Sequence, residues 1–181
     1  MKKFLGEFLE LSIYILVALV ASLLIVTFVG QRTVVTGTSM NNTLHDGDNI
    51  IVDKITYRFR EPERFEVVVF PFHGNKKDHY IKRIIGLPGE TVRIDRKGNI
   101  YINGEILEED FGLEVMISPG RAAEEIVLLD DEYFVLGDNR NDSSDSRDFM
   151  VGNIKKDEII GRAWLRIYPF NQIGFIEHDN E

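Results

Sequence analysis

Residues 11–30, LSIYILVALVASLLIVTFVG, are apolar on every side: no charge interrupts them, and only Ser12, Ser22 and Thr27 are clearly polar. A soluble helix packed on one side would show a polar face, and none is present here. At about 1.5 Å per residue, such a run is as long as a hydrocarbon core is thick, about 30 Å. A secretory leader would have a shorter apolar core, about 7–15 residues, and then a small-x-small cleavage site. Thr27-Phe28-Val29-Gly30-Gln31 offers no such site. The pattern predicts one N-terminal transmembrane helix over 11–30, behind a short N-terminus of residues 1–10. Lys2 and Lys3 precede the run, and only Arg32 follows it before Lys54. That bias predicts a single-pass protein of the cell membrane, its N-terminus cytoplasmic and the rest extracytoplasmic, with the lipid bilayer as a partner.

Beyond the run the period changes. TVVTG, NIIVDKITY, FEVVVF, HYIKRIIG, ETVRIDR, NIYINGEIL, EIVLL, EYFVLGD and GRAWLRIYPF are short and rich in Val, Ile, Tyr and Phe, with Gly, Asp, Asn or Pro between them. Such segments read as strands. Leu87-Pro88-Gly89 suits a type II turn, and Arg96-Lys97-Gly98-Asn99 a hairpin connection. No amphipathic helix of three turns stands out. The fold class expected is mainly β, an antiparallel β core. Residues 104–130 are more acidic and less regular, which predicts a smaller β lobe, 91–130, inserted between core segments 31–90 and 131–175.

Charge and cysteine content narrow the function. A net charge of −9, with no basic block, argues against nucleic-acid binding. With no cysteine there is no disulfide, thiolate nucleophile or Cys-ligated metal. His45, His73, His79 and His178 are scattered without ligand spacing, so neither a metal nor a cofactor is expected.

Three places carry reactive side chains: Ser39 in a Gly37-containing loop, Lys82 in HYIKRIIGLPGE, and GDNRNDSSDSR at 137–147. In a strand Lys82 shares its face with Tyr80 and Ile84, while Arg83 points the other way with Ile81 and Ile85. A lysine buried without a countercharge has a lowered pKa and acts as a base near neutral pH. Such a base activates a serine hydroxyl, and Ser–Lys pairs are a variant of the catalytic triad. The same residues also fit a lysine reaching the sheet edge and a serine capping a turn. The 137–147 loop lacks the calcium-loop spacing; as an Asx-rich turn it satisfies its own backbone, and its arginines and aspartates are placed to pair.

Taken in order, Ser39-Met40 with Thr43-Leu44, GDNIIVDK at 47–54, YIKRIIGLPGE at 80–90, GDNRNDSSDSR at 137–147 and GRAWLRIYPF at 161–170 closely resemble bacterial type I signal peptidases. The resemblance implies a membrane-anchored serine endopeptidase that removes signal peptides from exported preproteins, with small residues at −1 and −3. It implies Ser39 as nucleophile, Lys82 as general base, and Ser143 bonded to the lysine nitrogen. Asp145 with Arg147, and Arg83 with Asp138, would be supporting ion pairs; the backbone N–H groups of Ser39 and Met40 would bind the oxyanion. A catalytically weak relative serving assembly or pilus formation is the alternative. One departure stands out. Asn42 occupies the place of a family proline, so the serine loop is expected to be less rigid, and Asn42→Pro to raise stability or kcat. Gly37, two residues before the serine, replaces a hydroxyl that some members use for the oxyanion. Nine residues from Gly30 to Ser39 keep the hydroxyl within about 30 Å of the end of the run.

Overall fold

A computed structural model describes residues 2–72 and 75–178, without the side chains of 2–5, 7–9, 24–28 and 75–77. Helix α1 spans Lys2–Phe28 and strand β1 follows at Gly30–Val34. The helix thus takes in most of the expected N-terminal segment 1–10 and stops before Gly30, which is already paired with Asp53 in the sheet. Among the described residues no helix is long and apolar enough to cross a membrane. The expected span 11–30 falls partly outside them, in the side chains of 24–28.

The other strands are β2 (Asn49–Asp53), β3 (Val67–Phe72), β4 (Asn75–Gly86), β5 (Thr91–Ile94), β6 (Ile100–Ile102), β7 (Glu105–Ile106), β8 (Ile126–Val127), β9 (Glu132–Leu136), β10 (Ile154–Lys155), β11 (Gly161–Tyr168) and β12 (Gly174–Phe175). Eight form one sheet in the order β1-β2-β11-β3-β4-β9-β10, with β12 on β11; four form a second, β7-β6-β5-β8. Every ladder is antiparallel. The fold is mainly antiparallel β, and the second sheet is built from residues 91–127.

Alternation explains the packing. On β3, Val67 and Val69 join a core with Met40, Leu44, Ile50 and Val52, while Val68 and Phe70 join another with Ile84 and Val135. The strand is buried on both faces, so it reads as a continuous apolar run. On β9, Phe134 and Leu136 turn toward the second sheet and meet Val92, Ile94 and Ile100. The two sheets therefore share a core through β9 and the end of β4, where Ile85 also packs.

Several strands end earlier than their apolar content suggests, for local reasons. NIIVDKITY stops at Asp53 because its carboxylate accepts the N–H groups of Ile55 (2.9 Å) and Thr56 (3.1 Å), turning the chain into a short 3-10 turn at Thr56–Arg58. NIYINGEIL folds back on itself at Asn103-Gly104, both at positive φ, giving β6 and β7. The expected turn at Leu87–Glu90 forms, with the Glu90 N–H donating to the Leu87 carbonyl at 3.1 Å. The two-residue strands β10 and β12 have no sequence signal of their own.

Candidate active site

Strand β4 carries Lys82 and Arg83 side by side on opposite faces: Tyr80 and Ile84 pack in one core, and Ile81 lies against another. Lys82 is 3% exposed, and its Nζ lies 2.7 Å from Ser39 Oγ and 3.0 Å from the Ile81 carbonyl, with the Tyr80 ring 5.1 Å away. Burial lowers its pKa from the ordinary 10.5 to about 8; the carboxylates of Asp145 and Asp138 pull the other way without overcoming it. Ser39 and Lys82, 43 residues apart, are thus in hydrogen-bond contact, with an amine that is partly neutral near physiological pH.

The serine loop is held from outside. Its Gly37 has φ +93°, open to glycine, and the Gly37 N–H donates to Asp46 at 2.8 Å. The 137–147 loop grips it at four points. Asn139 N–H donates to the Ser39 carbonyl (3.1 Å), Asn139 Nδ2 to the Thr38 carbonyl (3.2 Å), Thr38 Oγ1 to Asp142 (2.6 Å) and Thr43 Oγ1 to Asp138 (2.5 Å). Gly137 must be glycine for closeness rather than conformation: an added Cβ would press on Ser143 Oγ and lie 2.5 Å from the Ser39 carbonyl oxygen.

Both expected ion pairs are formed. Arg83 and Asp138 are fully buried and paired twice, Nε to Oδ1 at 2.9 Å and Nη2 to Oδ2 at 2.8 Å. Arg83 also donates to the carbonyls of Phe65 (2.8 Å) and Glu177 (2.9 Å) and to Thr43 Oγ1 (2.9 Å). Arg147 pairs with Asp145 at 2.8 Å through both Nε and Nη2, while Asp145 accepts the Gly137 N–H at 3.1 Å. Such pairs contribute little net stability, but removing one partner strands a buried charge. Ser143 lines the same groove, and its buried Oγ has no hydrogen-bond partner among the described residues, so the bond to Lys82 implied by the resemblance is not formed here. Met40 turns its side chain into the core, 2% exposed, and its carbonyl accepts from Thr43 and Leu44.

Asn42 corrects the sequence reading. Its φ is +103°, which a proline ring, locked near about −65°, cannot adopt. Its Nδ2 donates to the Phe111 carbonyl at 3.1 Å, so the loop is tied down rather than loosened. Other contributors left no signal in the sequence. Arg140 finds its partner Glu109 outside its own loop, and the Val67 N–H donates to His178 Nδ1 at 3.2 Å. Burial, aided by Arg162 and Arg83, holds His178 neutral with a pKa near about 4, which keeps that acceptor available.

A groove of about 700 Å³ passes over the pair. Residues 33–37 form one wall, 78–82 the other, and Asn141–Ser144 close one side. It runs beside a half-buried hydroxyl and a buried amine. A family model described as signal peptidase, peptidase S26, matches residues 8–168. The chain belongs to that family. A probable signal peptidase I-2 of Synechocystis sp. is 39% identical over 97% of this chain and 80% of that protein. A signal peptidase I of Bacillus caldolyticus is 38% identical over 90% of this chain and 91% of its own length. A solved signal peptidase I from Enterococcus faecalis has 36% identity over 57% of this chain and 97% of that one, with a TM-score of 0.48.

Proposed function

We propose that this signal-peptidase chain is a serine endopeptidase that cleaves signal peptides from preproteins, with Ser39 as nucleophile and Lys82 as general base. The observation that carries the reading is the 2.7 Å contact between Ser39 Oγ and a lysine whose ammonium burial has made more acidic, leaving neutral amine to act as base. In the neutral amine the contact runs from the serine O–H to the Nζ lone pair. The alkoxide oxygen attacks the scissile carbonyl as Lys82 takes the proton; the ammonium then returns it to the leaving amine. Water hydrolyses the resulting ester by the same exchange. The N–H groups of Ser39 and Met40 stand at the start of the turn beside the groove and serve the oxyanion. Arg83–Asp138 and Asp145–Arg147 brace the loops on either side. Ser143, whose buried Oγ needs a partner, orients the lysine when the ammonium forms.

The substrate is the extended end of a signal peptide, lying between residues 33–37 and 78–82. Val34, Val35 and Ile81 line that space, which favours small side chains at −1 and −3. Helix α1 serves as a single-pass anchor. Leu11, Leu16, Leu19 and Leu23 are each more than half exposed, with nothing of the β core covering them. The run continues through residues 24–28, equally apolar in sequence. Lys2 and Lys3 place the N-terminus in the cytoplasm, and the β core, with the 91–130 lobe inserted in it, outside. The test is cleavage of a purified preprotein by the full chain in non-ionic micelles. Ser39→Ala and Lys82→Ala are each expected to abolish it; cleavage by either variant at the wild-type rate would overturn the reading.

A further inference from the structure

We infer that Phe111, on the segment leaving the second sheet, is a positioning residue that holds both the Ser39 loop and the Lys82 strand in register. The inference rests on the proposed Ser39–Lys82 reaction. Among the described residues, three that are not glycine have positive φ: Asn42 (+103°), Phe65 (+69°) and Asn103 (+52°). Asn103 lies in an Asn-Gly turn, where such a value is ordinary. Asn42 is the third residue of the turn closed by the Thr43 N–H on the Met40 carbonyl (3.0 Å), a place asparagine takes, whereas a bulky residue such as Phe65 is an outlier. Both meet at Phe111. Asn42 Nδ2 donates to its carbonyl, and the Phe65 ring packs on its ring with centroids 5.2 Å apart.

Strained backbone such as that of Phe65 persists only where its surroundings over-determine it. Both residues adjoin the reacting pair. Asn42 is three residues after Ser39 and Phe65 presents its carbonyl to Arg83, the neighbour of Lys82. The Arg83 guanidinium in turn lies 3.7 Å from the centre of the Phe111 ring. Phe111 is 6% exposed yet belongs to none of the three apolar cores. Its ring meets a guanidinium and one other ring, and its carbonyl accepts from an amide. The segment is itself fixed: the Phe111 N–H donates to Glu109, Glu109 pairs with Arg140, and the Leu113 N–H donates to the Asp138 carbonyl at 2.9 Å. One aromatic residue thereby joins the nucleophile loop, the base strand and the 137–147 loop.

The test compares Phe111→Leu, which keeps an apolar side chain but removes the ring face, with Phe111→Tyr, which restores it. Asn42→Gly, which tolerates the φ but lacks the amide, completes the set. The full chain in non-ionic micelles is assayed on a fluorogenic peptide with alanine at −1 and −3, kcat and KM being followed against pH and the folded fraction by thermal melting. Per folded molecule, Phe111→Leu and Asn42→Gly are each expected to lower kcat about tenfold, with KM within about twofold. Phe111→Leu should also shift the lower pH limb upward by about half a unit or more, as lost register loosens the packing that buries Lys82, and Phe111→Tyr should recover both values. Unchanged kcat and an unmoved limb in Phe111→Leu and Asn42→Gly, with only the melting temperature lowered, would overturn the inference. Full activity in Ser39→Ala, run alongside, would instead overturn the proposed chemistry.

Discussion

The lysine proposed as base weakens the fold that holds it, and the size of that effect follows from its burial. Moving its pKa from 10.5 to about 8 corresponds to roughly 3 kcal/mol favouring the neutral amine. Because the folded value is the lower one, the unfolded chain binds more protons between about pH 8 and 10.5. Stability from this group therefore rises with pH across that window, and below pH 8 the full penalty is present. Lys82→Met removes the charge while keeping an unbranched side chain. It also gives up the contacts with Ser39 Oγ and the Ile81 carbonyl, each about 1 kcal/mol. The net expectation is a variant about 1–2 kcal/mol more stable than wild type at pH 7. That advantage vanishes at about pH 9 and reverses as pH approaches 10.5, where only the lost contacts remain. Urea denaturation of both proteins in the same micelles, at several values between pH 7 and 10.5, reads the difference directly. Other titrating groups cancel in the comparison. Wild-type kcat/KM should rise about tenfold per pH unit below pH 8 and level off above it. A stability difference that does not change with pH, or activity that climbs only above pH 10, would refute a buried, shifted lysine.

Two further substitutions test the loops. Asn42→Pro is expected to destabilise the protein by about 2–3 kcal/mol, since it forces a φ the turn does not have and removes the amide bond to Phe111; a melting temperature at or above wild type would contradict this. Gly137→Ala inserts a methyl group between Ser143 and the Ser39 carbonyl, and should cut kcat about a hundredfold by displacing the proposed nucleophile. Wild-type kcat in a folded Gly137→Ala protein would show that the loop has slack.

The sequence was legible where a period or a local motif governs. The alternation in β4 placed Lys82 and Arg83 on opposite faces, and runs of Val and Ile marked β3 and β9. Both supporting ion pairs could be named from the resemblance, because their partners lie within its matching motifs. What stayed hidden depends on contacts without a local pattern. Nothing near Asn42 says that its amide reaches Phe111, 69 residues away. Substituting the family proline in thought led to a looser loop because it assumed the same φ. The conformation differs, so the comparison reversed. Arg140 likewise is expected to pair within its own loop, but the segment after β7 brings Glu109 to it at a buried site.

The reach of Arg83 along the chain also sets a schedule. Two of its partners, Thr43 and Phe65, precede it; Asp138 follows by 55 residues and Glu177 by 94. At a synthesis rate of about 5–20 residues per second, that last carbonyl arrives roughly 5–20 s after the arginine. The His178 ring that accepts the Val67 N–H comes one residue later still. A growing chain thus carries its serine and its lysine for seconds before the brace beneath them can close. A peptidase born among the exported chains that it will cut has its activation delayed by its own topology.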